Sequence, residues 1–382
     1  MLYETPCRKN QIKTVYTKMI QCFKPHLFGN ENKYLDEVLK STWISAGQYV
    51  EQFEKEFSCI IGRKDVITVS NGTIALHLAL LGLDIGKDDE VIVPDYTFVS
   101  PGNAVLYAGA EPVFADIDKD TWCIDAEDAR KKITSRTKAI IAVHIYGNVC
   151  DMSALEEIVR QNDLFLVEDT AESVFSKYNG KPAGSFGDVG CFSFQAAKTI
   201  TMGEGGAIAT DDSQLAEKMR KLRSHGMSDK RYWHDMVGYN YRLTNLQAAL
   251  GCSQLENLEK ILFNKKKLYD YYKKRLEDID GITFQTIPRN VEPVMWAVSI
   301  KIDPRKFKGD RDAIMKELLE KGIETRPGFY PFTSMPLYKP YKTQECRVAE
   351  SISKDIIVLP SYSSLSEEEI DYVCSHLKGL LK

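Results

Sequence analysis

From Val66 to about Asp211 the chain alternates short apolar runs of β-forming residues with helical patterns, and this alternation restricts the fold more than any other feature. The runs are Val66–Val69, Glu90–Val93, Pro112–Ala115, Ala139–Val143, Leu164–Val167, Cys191–Phe194 and Ala207–Thr210. The rhythm predicts an α/β fold with a mainly parallel central sheet, since parallel strands need helical crossovers and are covered on both faces. Asn179-Gly180 is a hairpin-turn signal between Tyr178 and Lys181. A long helical pattern from Thr244 towards Ile279 leads into a different rhythm, with strands over Val294–Ile302 and a helix over Arg311–Lys321. With 382 residues, 43% of them apolar, the chain can fill two domains. The expected division is an N-terminal extension (1–27), a large domain (28–255) and a smaller C-terminal α+β domain (256–382).

Three places in this frame carry chemistry. Lys198 stands between the apolar run ending at Phe194 and the glycine-rich turn Gly203-Glu-Gly-Gly206. An imine-forming amine needs such a place: partly buried, so that it can be neutral, with backbone nearby that admits a bulky group. Alone, a loop lysine is ordinarily a solvated charge; Glu168-Asp169 upstream changes the reading. Asp169 ends an apolar strand, where open α/β sheets hold their ligands, and a carboxylate there suits a protonated pyridine nitrogen. It serves equally well as a helix cap, with Glu172 completing a capping box. The third place is Asn71-Gly72-Thr73, where a strand turns into a strongly apolar helix whose first N–H groups suit a phosphate, with the hydroxyls of Thr73 and Ser193 in support.

Together these residues resemble the sugar-nucleotide aminotransferases of the fold-type I family dependent on pyridoxal 5'-phosphate (PLP). The resemblance runs from about Phe28 to near the C-terminus. It is carried, in order, by Thr42-Trp-Ile-Ser45, Asn71-Gly-Thr73, Asp89-Glu-Val-Ile-Val-Pro94 with Thr97-Phe98, Ala142-Val-His-Ile-Tyr-Gly147, Glu168-Asp169, Gly184-Ser-Phe-Gly-Asp188, Lys198, Gly203-Glu-Gly-Gly206 and Gly238-Tyr-Asn-Tyr-Arg242. Within the family, Trp233 to Ala249 and the Thr42 start are most similar to the GDP-perosamine synthase branch. Gln195-Ala196-Ala197, Thr170 and Phe329-Tyr330-Pro331 depart from it.

The resemblance implies a fold-type I transferase. It implies that Lys198 carries the cofactor aldehyde and moves protons, and that Asp169 pairs with the ring nitrogen. Glu172 would face the ring hydroxyl, where many relatives have glutamine, and Phe98 would stack on the ring. Gly72, Thr73 and Ser193 would hold the phosphate. Asn240 would reach that phosphate from a second subunit, making the unit a homodimer with shared sites. The substrates implied are L-glutamate and a nucleotide-linked 4-keto-6-deoxy sugar, with pyridoxamine 5'-phosphate forming during turnover. Trp233, His234, Arg242, Arg326 and Tyr330 are the candidates for substrate contact.

Other classes fit less well. PLP-dependent sugar dehydratases of this fold carry histidine in place of the lysine, and a non-catalytic relative would lose Lys198 or Asp169. The glycine run at Gly203 precedes a strand and does not open a helix, so it is not a dinucleotide fingerprint. A net charge of −4 argues against general nucleic-acid binding. No apolar stretch spans a bilayer and residues 1–19 lack the apolar core of a signal peptide, so a cytoplasmic protein is expected. The nine cysteines and six histidines show no metal-ligand spacing. Cys191 reads as core, and His77 as a satisfied core residue on an apolar helix.

Overall fold

A computed structural model describes residues 19–342 and 345–382. Its centre is a seven-stranded sheet built from β1 (Asp65–Val69), β2 (Glu90–Pro94), β3 (Glu111–Ala115), β4 (Thr137–Val143), β5 (Phe165–Asp169), β6 (Val189–Ser193) and β7 (Gly206–Thr210). The spatial order is β1-β7-β6-β5-β4-β2-β3. The pairings from β6 through to β3 are parallel, and β7 runs antiparallel to both β1 and β6. All seven expected strands form. β2, β6 and β7 are buried along their whole length, which is why they read as unbroken apolar runs without alternation.

The helices that cover the sheet begin where short polar side chains cap them. Asn71 Oδ1 accepts the Ile74 N–H at 3.0 Å and opens the buried helix Gly72–Gly82. The helix Gln48–Ile61 buries Tyr49, Phe53, Phe57 and Ile61 at helical spacing. Phe53 and Phe57 meet Phe194 edge-on, and Phe57 does the same to Phe192, so β6 is braced directly behind the lysine segment. The long helical pattern after Thr244 is divided: a capping box between Thr244 and Gln247 starts Asn245–Glu256, and a second helix runs over Leu258–Leu276. The break falls at Asn257, whose backbone leaves helical geometry (φ −107°, ψ 16°).

A four-stranded antiparallel sheet follows, ordered Ile282–Phe284, Ser299–Ile302, Ile356–Val358, Arg326–Pro327. The strand expected over Val294–Ile302 forms only over Ser299–Ile302. Residues before it leave the ladder because their polar groups bond elsewhere: the Trp296 carbonyl accepts from Lys265, and the Val298 N–H donates to Ser361 Oγ. The Asn179-Gly180 turn joins a two-residue hairpin as expected. Ile20 and Cys22 are stitched onto this part of the molecule: the Ile20 N–H donates to Gly322 O at 2.8 Å and the Ser361 N–H donates to Cys22 O at 2.8 Å. Residues 1–18 of the expected extension lie outside the described residues.

Candidate active site

The carboxyl ends of β4, β5 and β6 open into a cavity of about 610 Å³. Asp169, Glu172, Lys198, Gly72, Thr73, Ser193, Phe98 and Arg326 all line it, so the structure gathers eight of the residues singled out in the sequence into one place. Asp169 ends β5 and Ser193 ends β6, a neighbouring strand; Lys198 follows β6 in the loop that the aromatic cluster supports.

At one end of the cavity, Asn71 satisfies Ile74 and Ala75, while the Gly72 and Thr73 N–H groups have no hydrogen-bond partner among the described residues. These two residues open a helix on the cavity, which gives a local positive end. A Cβ at Gly72 would lie 2.8 Å from the Ser193 Cβ, so only glycine lets the helix start and the Ser193 hydroxyl come together. Thr73 Oγ1 lies 2.6 Å from Ser100 Oγ.

At the other end are two carboxylates and an amine. One Asp169 oxygen accepts the Ala171 N–H at 3.0 Å, leaving the second for the cavity. Burial pushes the Asp169 carboxyl up, opposed by that N–H and by the Lys198 charge. Glu172 accepts the Tyr146 N–H at 2.8 Å and stands 4.0 Å from Lys198 Nζ. Burial pushes Glu172 up to about 7 against the pull of Lys198, and pushes the Lys198 amine down against the pull of Glu172 and Asp169. A lysine held partly towards its neutral form is a nucleophile at neutral pH.

Behind Asp169 is Glu168, fully buried on the opposite side of the strand. Its carboxylate accepts N–H groups from Gly184, Phe186 and Gly187 at 2.6–2.7 Å, and lies 3.1 Å from His144 Nε2. His144 Nδ1 accepts from the Cys150 N–H, which puts the imidazole proton on Nε2, facing Glu168. Burial alone would raise the Glu168 carboxyl; His144 and the N–H groups outweigh it and hold the carboxyl below its usual range.

Sequence reasoning missed the aromatic wall. Trp296 and Tyr146 lie nearly parallel at 6.4 Å and Tyr146 and Phe329 at 5.5 Å, with Phe23 stacked on the far side of Trp296 at 4.9 Å. Only Tyr146 falls within a motif, and none of the four has a polar signature to separate it from core. Phe98 lines the cavity while 54% exposed and meets Phe329 edge-on. Trp233, His234, Asn240 and Arg242 do not line this chain's cavity: they lie on the exposed segment that follows Ser224, with Asn240 bridged to Ser224 and its side chain accepting from Arg242. Tyr330 also lies outside the lining, against Arg311. His77 is buried with Nδ1 3.2 Å from Tyr241 OH but with Nε2 lacking a hydrogen-bond partner among the described residues, so it is only half satisfied, contrary to expectation; Cys191 is buried in β6.

The model of the DegT/DnrJ/EryC1/StrS aminotransferase family matches residues 26–378. The chain belongs to that family. Among relatives, the GDP-perosamine synthase of Escherichia coli O157:H7 is 42% identical over 362 residues, covering 94% of this chain and 98% of that protein. The GDP-perosamine synthase of Caulobacter vibrioides is 42% identical, covering 94% and 97%. The aminotransferase TlmJ from Streptoalloteichus hindustanus superimposes with a TM-score of 0.90 at 30% identity, over 94% of this chain and 98% of that one. Spr1654 of Streptococcus pneumoniae in its PLP form gives 0.90 at 27% identity, over 95% and 98%. This member of the DegT/DnrJ/EryC1/StrS family is thus a fold-type I, PLP-dependent sugar-nucleotide aminotransferase. Its residues fit the cofactor: a helix end and hydroxyls for the phosphate, a buried carboxylate and an amine at the opposite end.

Proposed function

We propose that this chain moves the amino group of L-glutamate to C4 of GDP-4-keto-6-deoxy-mannose, giving GDP-perosamine and 2-oxoglutarate. The observation that carries this acceptor is the 42% identity to two GDP-perosamine synthases across almost the whole of both chains. The cavity supports the general reaction, with Lys198, Asp169 and Glu172 at one end and the Gly72-Thr73 helix start at the other.

Bound PLP supplies an electron sink that acidifies the donor Cα–H and carries nitrogen from one substrate to the other. Lys198 Nζ holds the cofactor aldehyde at rest and, when released, moves the proton from the donor Cα. The Asp169 carboxylate keeps a proton on the ring nitrogen, and Glu172 faces the ring hydroxyl. The Gly72 and Thr73 N–H groups and the Ser193 hydroxyl would hold the phosphate, and Phe98 would pack against the ring. Arg326, on the cavity wall, offers a guanidinium to the donor carboxylate or the sugar-nucleotide diphosphate.

Asn240, with Trp233, His234 and Arg242 on the same exposed segment, serves the cavity of a second copy in a homodimer. Tyr232, Trp233 and Val237 are 75%, 58% and 85% exposed there, more apolar surface than a free loop needs. Tyr330 has no comparable support. The division at 27 and 255 is part of the same reading, supported by the seven-stranded sheet falling within 65–210 and the four-stranded sheet within 282–358. No described helix is long and apolar enough to cross a membrane, and we place the protein in the cytoplasm with its substrates.

A second acceptor class has support from more distant kin: a UDP-N-acetyl-3-dehydro-alpha-D-glucosamine 3-aminotransferase is 33% identical over 350 residues. The test is kcat/KM with glutamate for GDP-4-keto-6-deoxy-mannose against the dTDP- and UDP-linked 4-keto-6-deoxy sugars and against UDP-N-acetyl-3-dehydro-alpha-D-glucosamine, since selectivity is a difference in transition-state binding. A preference of at least about a hundredfold for the GDP sugar is expected. Preference for a dTDP or UDP sugar refutes the acceptor and leaves the aminotransferase standing.

A further inference from the structure

Trp296 is fastened more tightly than a residue that only fills a wall. Its indole N–H donates to the carbonyl of Ala197, the residue before Lys198, at 2.7 Å. Its own carbonyl accepts from the buried Lys265 Nζ at 2.9 Å, and Lys265 also donates to Ser361 O at 2.8 Å. One face of its ring is covered by Phe23, with centroids 4.9 Å apart and planes inclined by 7°. Lys198 Nζ lies 4.0 Å from the ring centroid.

An ammonium is drawn to the negative face of an indole, most strongly where water is excluded. Lys198 Nζ therefore lies between a π face and the Glu172 carboxylate, each 4.0 Å away. The remaining charged groups around the amine are Asp169 at the end of β5 and Lys265 on the helix Leu258–Leu276. Lys265 cannot take the place of the indole: burial pushes its amine down to about 7, and any charge it keeps repels a protonated Lys198. Arg326 lies over the Phe23 ring at 5.4 Å, so each ring of the aromatic pair has a cation over it.

We propose that Trp296 is a positioning residue for Lys198: its N–H fixes the backbone before the lysine, its face fixes the resting place of the protonated amine, and Phe23 holds the indole in that plane. The inference rests on Lys198 being the amine that carries the cofactor and the proton. Each time that amine is released it must return to one spot within reach of the donor Cα. A bulky apolar filler would supply neither the bond to Ala197 nor an attraction for the charge.

The test compares Trp296→Leu, Trp296→Phe and Phe23→Leu with the unaltered full-length protein, each loaded with pyridoxamine 5'-phosphate, which leaves the lysine amine unbonded. The pH dependence of Lys198 modification by an amine-reactive reagent is read by mass spectrometry of its peptide. In Trp296→Leu the midpoint is expected to fall by about half a unit to one unit, because the ammonium loses its π partner. The other two variants shift the same way by less. Turnover with glutamate is expected to drop at least about tenfold in Trp296→Leu, with KM for the keto sugar changed less than about threefold.

An unchanged or raised midpoint in folded Trp296→Leu overturns the proposal. Should that variant fail to fold, the same result in Trp296→Phe overturns it. The anchoring role of Lys198 is tested apart, by borohydride reduction of the PLP-loaded protein. Recovery of the Lys198 peptide without the reduced cofactor removes that reading, whatever the labelling midpoint shows.

Discussion

Lys198 Nζ and Glu172 Oε1 lie 4.0 Å apart inside the cavity, each on a segment that leaves the carboxyl end of a sheet strand. Burial moves both towards their neutral forms, and each charge opposes that movement in the other.

Glu172→Gln is expected to change how stability depends on pH. The folded chain holds the Glu172 proton up to about 7, against a reference value of 4.5. Between those values the folded state binds more protons than the unfolded state, so this group's contribution is full below 4.5 and is lost as pH rises through about 7. Its size is at most about 3 kcal/mol. Cofactor-free protein should therefore lose more of its urea midpoint from pH 5 to pH 7.5 than Glu172→Gln does. Identical slopes would place the Glu172 proton affinity in the ordinary range.

Lys198→Ala should lower multiple-turnover transamination by at least about a thousandfold, because one change deletes both the covalent anchor and the proton carrier. The aromatic bracing behind β6 is untouched, so the far-UV spectrum and melting temperature should change little. Substantial turnover in the purified variant would remove Lys198 from the chemistry.

In Asp169→Asn the half-reaction with glutamate is expected to slow by about a hundredfold or more, while PLP is still retained through its phosphate. An amide cannot hold a proton on the ring nitrogen as a carboxylate does. Stopped-flow single turnovers of cofactor-loaded protein check this. Near-normal rates would leave Asp169 as a cap for the Ala171 N–H.

Glu168→Ala should cost about 3–5 kcal/mol of stability, since it strands the buried Gly184 and Gly187 N–H groups, the half-buried Phe186 N–H and the His144 imidazole. Chemical denaturation measures the loss. A change under about 1 kcal/mol would mean that water or a shifted backbone replaces the carboxylate.

Mixing Lys198→Ala with Asn240→Ala subunits should restore activity if Asn240 serves a neighbouring copy. Random mixing gives one fully native site per mixed dimer. Native mass spectrometry establishes that exchange has occurred. Mixed dimers no more active than either parent would confine Asn240 to its own chain.

The strands of the large sheet are legible because most of their residues are buried and each gives way to a polar turn. Asp169, Lys198 and Gly72 are legible for a related reason: a charge or a glycine at the end of an apolar run is unusual enough to need an explanation. The family resemblance then supplied Phe98, which local pattern leaves as core. Trp296 and Phe23 carried no such mark. Trp296 lies in a run that reads as strand, yet its indole N–H donates to the Ala197 carbonyl and its own carbonyl accepts from Lys265, partners far off in sequence. Phe23 precedes the first residue of the family match, and its place depends on the bonds that tie Ile20 and Cys22 beside Gly322 and Ser361.

Phe23, Lys198, Trp296 and Phe329 come from widely separated stretches of the chain, yet they meet around one cavity. Contacts of such long sequence separation are closed slowly, because loop entropy is lost before packing compensates for it. The aromatic wall is thus expected to assemble after the local strand–helix units of the large sheet. On a refolding chain, the absorbance of cofactor captured by Lys198 would report arrival at the finished structure, and would lag behind the far-UV signal of the helices.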